Sequence, residues 1–219
     1  MKKAILAMAC VATAMTISAQ RASDFATSYS ETNDYNRISA GYLNENISPK
    51  GGDSMGLNGL FVDYVHGFSL TKSIPLYLET GLGIGAGFKS ETDEDWEDFK
   101  VKNRLMYMNV PLNITYKFAV NPDFSIQPLF GFNFKVNIVG KTELDIDDPE
   151  YDDEEAEINW FDDDDMEDNA FKRFQLGWHI GAGINYKAFY FGLSYGTDFI
   201  KIAKKVNTGT FKIGVGFNF

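Results

Sequence analysis

The sequence predicts an all-β fold, an eight-stranded antiparallel up-and-down barrel whose strands cross a membrane. Three observations predict it: period-two alternation in eight stretches, connections that alternate between short and long, and an amino terminus built like an export signal.

Lys2 and Lys3 make a short positive region, residues 4–17 carry no charge, and the small residues Ser18 and Ala19 precede Gln20. This is the layout of a secretory signal peptide, so residues 1–19 are expected to be removed and 20–219 to fold. The apolar run is shorter than the roughly 20 residues that a membrane-spanning helix needs. No later window supplies such a helix. Cys10, the only cysteine, lies inside the signal, so the exported chain is expected to have no disulfide and no thiolate metal site.

The strands follow in order. Residues 37–43 place Ile38, Ala40 and Tyr42 on one face, and residues 57–66 place Leu60, Val62 and Tyr64 opposite Gly59, Phe61 and Asp63. Leu76, Leu78, Leu82, Ile84 and Phe88 alternate with Tyr77, Glu79, Gly81, Gly83, Gly85 and Gly87. Met106, Met108, Val110, Leu112, Ile114, Tyr116 and Phe118 form the longest apolar face, interleaved with Asn109, Pro111, Asn113, Thr115 and Lys117. A helix would scatter both sets around its surface, whereas a strand keeps them on opposite sides. The same pattern recurs from Ile126 to Ile138, from Phe174 to Tyr186, from Phe189 to Tyr195 and from Phe211 to Phe219. The connections at 67–73, 120–123 and 187–188 are short, while those at 44–55, 90–99, 142–170 and 198–208 are longer. Outer-membrane barrels carry short turns on the periplasmic side and long loops outside.

Interior volume sets which face meets lipid. A soluble lipocalin-like barrel would turn its large apolar residues inward, but eight strands enclose little space. The apolar set holds more than a dozen aromatic residues, so it is expected to face acyl chains, with the glycine-rich set inside. Tyr64, Phe118, Tyr186 and Phe189 on the turn side, and Tyr42, Phe88 and Phe174 on the loop side, are placed to form two interfacial girdles. Pro111 and Pro128 each remove a ladder donor, and a bulge or a position at the membrane boundary is expected at each.

The segments Ile74-Pro75-Leu76-Tyr77-Leu78-Glu79-Thr80-Gly81-Leu82-Gly83 and Val110-Pro111-Leu112-Asn113-Ile114-Thr115-Tyr116-Lys117-Phe118 resemble the PorT-like outer-membrane β-barrel family of Gram-negative bacteria. So does the run from Leu176 to Tyr186 followed by Phe189 to Tyr195. The resemblance implies a cell outer-membrane location and a barrel domain over nearly the whole exported chain, apart from the acidic loop. The terminal Phe219 is similar to the aromatic residue that barrel-assembly machinery recognises. The PorT protein is implicated in protein export and gliding-related secretion, but a shared fold does not carry that role over.

Charge is concentrated. The formal net charge is −11, yet sixteen acidic residues and no lysine or arginine lie between Glu143 and Asp168. Without a basic face, nucleic-acid binding is not expected. The acidic stretch at 142–170 is expected to be a solvated external loop. The run Asp162, Asp163, Asp164 and Asp165 is a candidate for weak divalent-cation binding, bridging to anionic lipopolysaccharide, although no EF-hand spacing is present. Tyr151, Trp160 and Phe161 in that loop are candidates to dock a protein partner.

The inward set predicts a polar lumen network of Arg37, Asp63, Glu79, Lys117, Lys135, His179 and Lys212, cross-paired inside a plugged barrel. A small-solute or ion path through this network is the alternative. An enzyme is not expected. The two histidines, His66 and His179, sit in no Gly-x-Ser-x-Gly or His-Glu-x-x-His motif, and no cofactor signature is present. The function read from sequence is a non-enzymatic outer-membrane barrel in a structural, adhesive or accessory transport role. Its expected partners are outer-membrane lipid and lipopolysaccharide.

Overall fold

The computed structural model describes residues 33–92, 99–146, 154–162, 171–203 and 205–219; the predicted signal peptide and Cys10 lie outside them. The strands, in chain order, are β1 (Tyr35–Pro49), β2 (Met55–Ser69), β3 (Leu76–Thr92), β4 (Phe99–Tyr116), β5 (Phe118–Asn121), β6 (Phe124–Ile146), β7 (Glu154–Asn159), β8 (Phe174–Tyr186), β9 (Phe189–Ile200) and β10 (Val206–Asn218). Eight of them are the staves of a closed antiparallel barrel. The path β4-β3-β2-β1-β10-β9-β8-β6 is joined into a ring by the β4–β6 pairing. β5 prolongs the β4 stave towards the turn, and β7 pairs only with the outer end of β6. Closure leaves no unpaired edge in the wall, which is what hydrocarbon demands of a strand protein.

The alternation points as volume requires. Ile38, Leu60, Ile84, Met108, Phe132, Ile180, Phe191 and Val215 are exposed on the outer wall, whereas their inward neighbours are buried or half-buried. Tyr42, Phe88 and Phe174 towards the loops, and Tyr64, Tyr186 and Phe189 towards the turns, also face outward. Glycines on the inner face make room for the few large rings inside. A methyl group on Gly85 would stand 2.4 Å from the Tyr107 ring, and one on Gly183 would stand 2.1 Å from the Tyr190 ring.

The strands outlast the membrane, and there the pattern changes sign. Crossing takes about 9–11 tilted residues, but β1 has 15, β4 has 18 and β6 has 23. Along β1, Leu43 and Ile47 turn inward while Asn44 and Asn46 look out; β4 does the same with Leu105 inside and Lys102 and Arg104 outside. Above the boundary the outer surface meets water, so apolar side chains retreat into the barrel. This corrects the expected connections. The first is residues 50–54 instead of 44–55, with Gly51 in the left-handed region at φ 87°, and the last is residues 201–205 instead of 198–208.

The acidic loop also departs from expectation. Instead of a solvated coil throughout 142–170, β6 runs on to Ile146 and β7 returns along it, from Lys141↔Asn159 to Ile146↔Glu154. Behind this hairpin Trp160 is 4% exposed and packs with Ile47, Leu57 and Leu105. Its indole nitrogen donates to Thr142 Oγ1 at 2.8 Å. A bulge at Met106/Tyr107 in the β4–β6 ladder changes the phase of β6, which turns Gly140 and Thr142 towards the interior.

Of the two prolines, Pro111 is accommodated differently from the expectation, and Pro128 takes the boundary position expected of it. At Pro111 the β3–β4 ladder omits two pairs between Thr80↔Leu112 and Gly83↔Asn109 and resumes in the same register. The missing donor costs a gap and not a bulge. Pro128 lies where the β4–β6 ladder ends at Thr115↔Leu129 and before β5 resumes it at Phe118↔Ile126, near the turn end. Lys117, beside this gap, sends its backbone N–H to Pro75 O at 2.9 Å. The two-residue turn 187–188 is as expected, with Lys187 taking the left-handed conformation at φ 54°.

Candidate functional site in the barrel lumen

The inner wall is organised as three tiers of charge stacked along the barrel axis. Nearest the turns, Arg37 on β1 and Glu79 on β3 form a buried ion pair at 2.8 Å. Glu79 also accepts from Tyr35 OH, from Gln127 Nε2 at 3.0 Å and from Asn113 Nδ2 at 3.2 Å. The Arg37 guanidinium lies 3.9 Å from the Tyr190 ring centroid, and Asn185 donates to Gln127 Oε1 at 3.0 Å. This carboxylate is saturated with donors, which is the condition under which a buried ion pair is tolerated.

In the middle, Lys212 on β10 reaches across to Asp63 on β2 at 3.0 and 3.2 Å. His179 on β8 lines the same part of the lumen. Towards the loops, Lys135 on β6 stands between Glu45 on β1 and Asp198 on β9, 2.7 Å from each. Thr210 donates to Glu45 at 2.7 Å, while Thr208 and Gln175 donate to Asp198 at 2.5 and 3.0 Å. Above this tier the apolar cluster of Ile47, Leu57, Leu105 and Trp160, with Phe161 and Phe171 against it, closes the mouth.

The structure therefore brings Arg37 to Glu79 and Asp63 to Lys212, and it gives Lys135 two carboxylate partners that the sequence reading assigned to loops. Glu45 and Asp198 are buried at 0% and 7% exposure. Their signal was present, since each continues the inward alternation of its strand, Glu45 beyond the outward Tyr42 and Asp198 just before the outward Phe199. Lys117 joins no tier; its ammonium lies 5.8 Å from the Tyr35 ring at the turn end. Phe219 is exposed on the outer rim, and its backbone exchanges two hydrogen bonds of 2.9 Å with Asn36. Asp162 is exposed, whereas Asp163, Asp164 and Asp165 lie outside the described residues, as does Tyr151. Among the described residues no group of three or more histidine, cysteine or acidic side chains is close enough to hold a metal ion.

The histidines are placed apart. His66 lies on the outer wall near the turns, with Nδ1 at 2.8 Å from Asn36 Oδ1 and Nε2 at 3.8 Å from Asp34. Ser69 Oγ, the nearby hydroxyl, donates to Thr71 O at 2.8 Å. His179 is enclosed in the lumen on the strand beside Ser194.

The fold has counterparts among solved structures. Over 85% of this chain and 99% of the other, it superposes on Ail, the attachment invasion locus protein of Yersinia pestis, with 15% identity and a TM-score of 0.50. Neisserial surface protein A matches at 14% identity over 85% of this chain and 97% of its own, with a TM-score of 0.44. The outer-membrane enzyme PagL matches at 11% identity over 85% and 99%, with a TM-score of 0.41. At these identities the likeness is one of fold. Comparison with curated proteins gives no match. The family model of the outer membrane protein beta-barrel domain matches residues 7–219. With that match across a closed eight-stranded wall, apolar without and charged within, the chain belongs to the outer membrane protein beta-barrel domain family and resides in the outer membrane.

Proposed function

We propose that this protein is a closed, non-enzymatic barrel of the PorT-like group, which holds an acidic hairpin outside the cell in an adhesive, structural or secretion-accessory role. The observation that carries the reading is the filled lumen. Three ion-pair tiers cross it, and the Trp160 cluster covers the loop-side end. A barrel so filled spends its interior on rigidity, leaving the external face as the surface available for recognition. The β6–β7 hairpin projects from that face with Glu143, Glu154, Glu155 and Glu157 on it. The histidine surroundings favour a non-enzymatic reading. His66 has Asn36 and Asp34 as neighbours but the Ser69 hydroxyl is committed to Thr71, and His179 is walled in at mid-membrane.

On this reading residues 1–19 are cleaved on export and Phe219 serves assembly. Lipid and lipopolysaccharide surround the wall. Planar-bilayer recording of the refolded protein tests closure: no steady single-sized conductance is expected, and a stable step at moderate voltage would reverse the reading in favour of a channel. Mass spectrometry of the native protein should give an amino terminus at Gln20.

A further inference from the structure

A cavity of about 100 Å³ lies between the Arg37–Glu79 tier and the Lys135 tier. Its wall includes Asn109, Asn113 and Asn133 together with Asp63, Lys212 and His179. The Oδ1 atoms of those three asparagines are buried and have no hydrogen-bond partner among the described residues. Asn109 and Asn113 are only 3% and 5% exposed. For Asn113 the amide orientation is fixed, because its Nδ2 donates to Glu79 and turning it over would aim oxygen at carboxylate.

Three orphan acceptors around one void are not expected of a dry interior, since empty cavities in proteins are apolar and buried polar groups find partners. Gly83 helps to shape the void: a methyl group there would stand 1.9 Å from Asp63 Oδ1 and 2.6 Å from Asn109 Oδ1. One water needs roughly 10–15 Å³ of such space and two to four polar partners. The cavity therefore has room for several waters, and its wall offers amide oxygens, a carboxylate and an ammonium to orient them.

We propose that this chamber is a resident hydration site, in which a cluster of water molecules donates to Asn109, Asn113 and Asn133 and solvates the Asp63–Lys212 pair. The water is enclosed. The turn-side tier closes it below, and the Lys135 tier with the apolar mouth closes it above. The barrel is thus wet at mid-membrane while remaining shut to ions. The guest class is water and, by the same chemistry, a neutral hydrogen-bonding molecule of similar size.

Water-edited solid-state NMR of the isotope-labelled protein in lipid vesicles tests this. The side-chain amides of Asn109, Asn113 and Asn133 should gain magnetisation from water about as early as that of the exposed Asn46. If they gain it only as late as the backbone of lipid-facing Val110 and Phe132, the chamber is dry and the proposal falls. Asn109→Leu gives a second readout by sign. In a hydrated chamber it lowers the urea midpoint, because the leucine displaces bound water, whereas an unchanged or raised midpoint means that an unpaired amide has been removed from a dry site. Should that variant not fold, the spectrum of the unaltered protein still decides. A conductance step would refute the closed-barrel reading and leave this test intact.

Discussion

Replacing Lys135 with methionine keeps much of the side-chain volume and removes its charge. In the native lumen the ammonium stands 2.7 Å from both Glu45 Oε1 and Asp198 Oδ2, and 3.3 Å from Thr210 Oγ1. The three charged side chains are between 0% and 5% exposed, so water does not screen what is left behind. Breaking a buried pair by removing one partner costs about 3–5 kcal/mol. Here one cation serves two anions, which places the loss at the upper end. With a urea dependence of about 2 kcal/mol per molar, the unfolding midpoint falls by roughly 2 M. The assay is urea titration of the barrel in lipid vesicles, read by the different migration of unheated and boiled protein. Neutralising all three groups together, as Lys135→Met with Glu45→Gln and Asp198→Asn, should recover most of the loss. A cost below about 1 kcal/mol for the single variant, the value of an exposed pair, would refute the reasoning. So would a triple variant as weak as the single one.

Other expectations follow from the same geometry. Gly85→Ala sets a methyl group 2.4 Å from the Tyr107 ring, and overpacking of this kind costs about 1–3 kcal/mol; the urea midpoint should fall while the unheated band persists. Trp160→Ala removes the centre of the loop-side cluster, so limited proteolysis should cut the acidic hairpin faster and leave the transmembrane wall intact. Outside the membrane, the hydrogen bond from Lys141 holds Glu143 below the ordinary glutamate value of 4.5, and that same contact, followed by the one with Glu157, holds Lys141 above the ordinary 10.5. A lowered carboxyl contributes above its ordinary value and loses that contribution as pH falls through the lowered one; a raised amine contributes below its ordinary value and loses it as pH rises through the raised one. Trp160 fluorescence should therefore report a hairpin that stays docked between these limits and loosens first on acidification below pH 4.5. An unchanged signal down to full protonation would show that the ion pairs do not hold it.

The wall was legible because lipid enforces one rule along every crossing. Ile38 to Tyr42, Met106 to Phe118 and Phe174 to Tyr186 all read apolar-out, and the structure places them so. Legibility failed where the solvent outside changed. Leu43, Glu45 and Ile47 keep the inward phase, but with Asn44 and Asn46 outside they resemble a loop to any reading that seeks apolar residues facing out. Glu45 was lost for that reason, and Asp198 because the alternation of its strand was followed only to Tyr195 although the outward Phe199 continues it; with them went two of the three members of the Lys135 tier. The two remaining acid–base partnerships could be guessed in kind but not in pairing, because partners such as Asp63 and Lys212, on the staves that flank β1, are 149 residues apart. Trp160 was readable as a docking residue but not as one that docks on its own barrel. The phase change at Met106/Tyr107 leaves no mark that composition reveals.

The seam between β1 and β10 has a consequence for how this molecule comes to exist. The first stave finds one of its two neighbours in the last, along thirteen facing positions from Arg37↔Asn218 to Pro49↔Val206. Until that final stretch has been made and delivered, a growing chain presents two raw ladders of donors and acceptors, sticky to any passing strand. Completion cannot be stepwise in the way that a hairpin is. It waits for β10, and a mutation that frays β10 should be felt first as aggregation before the ring has closed.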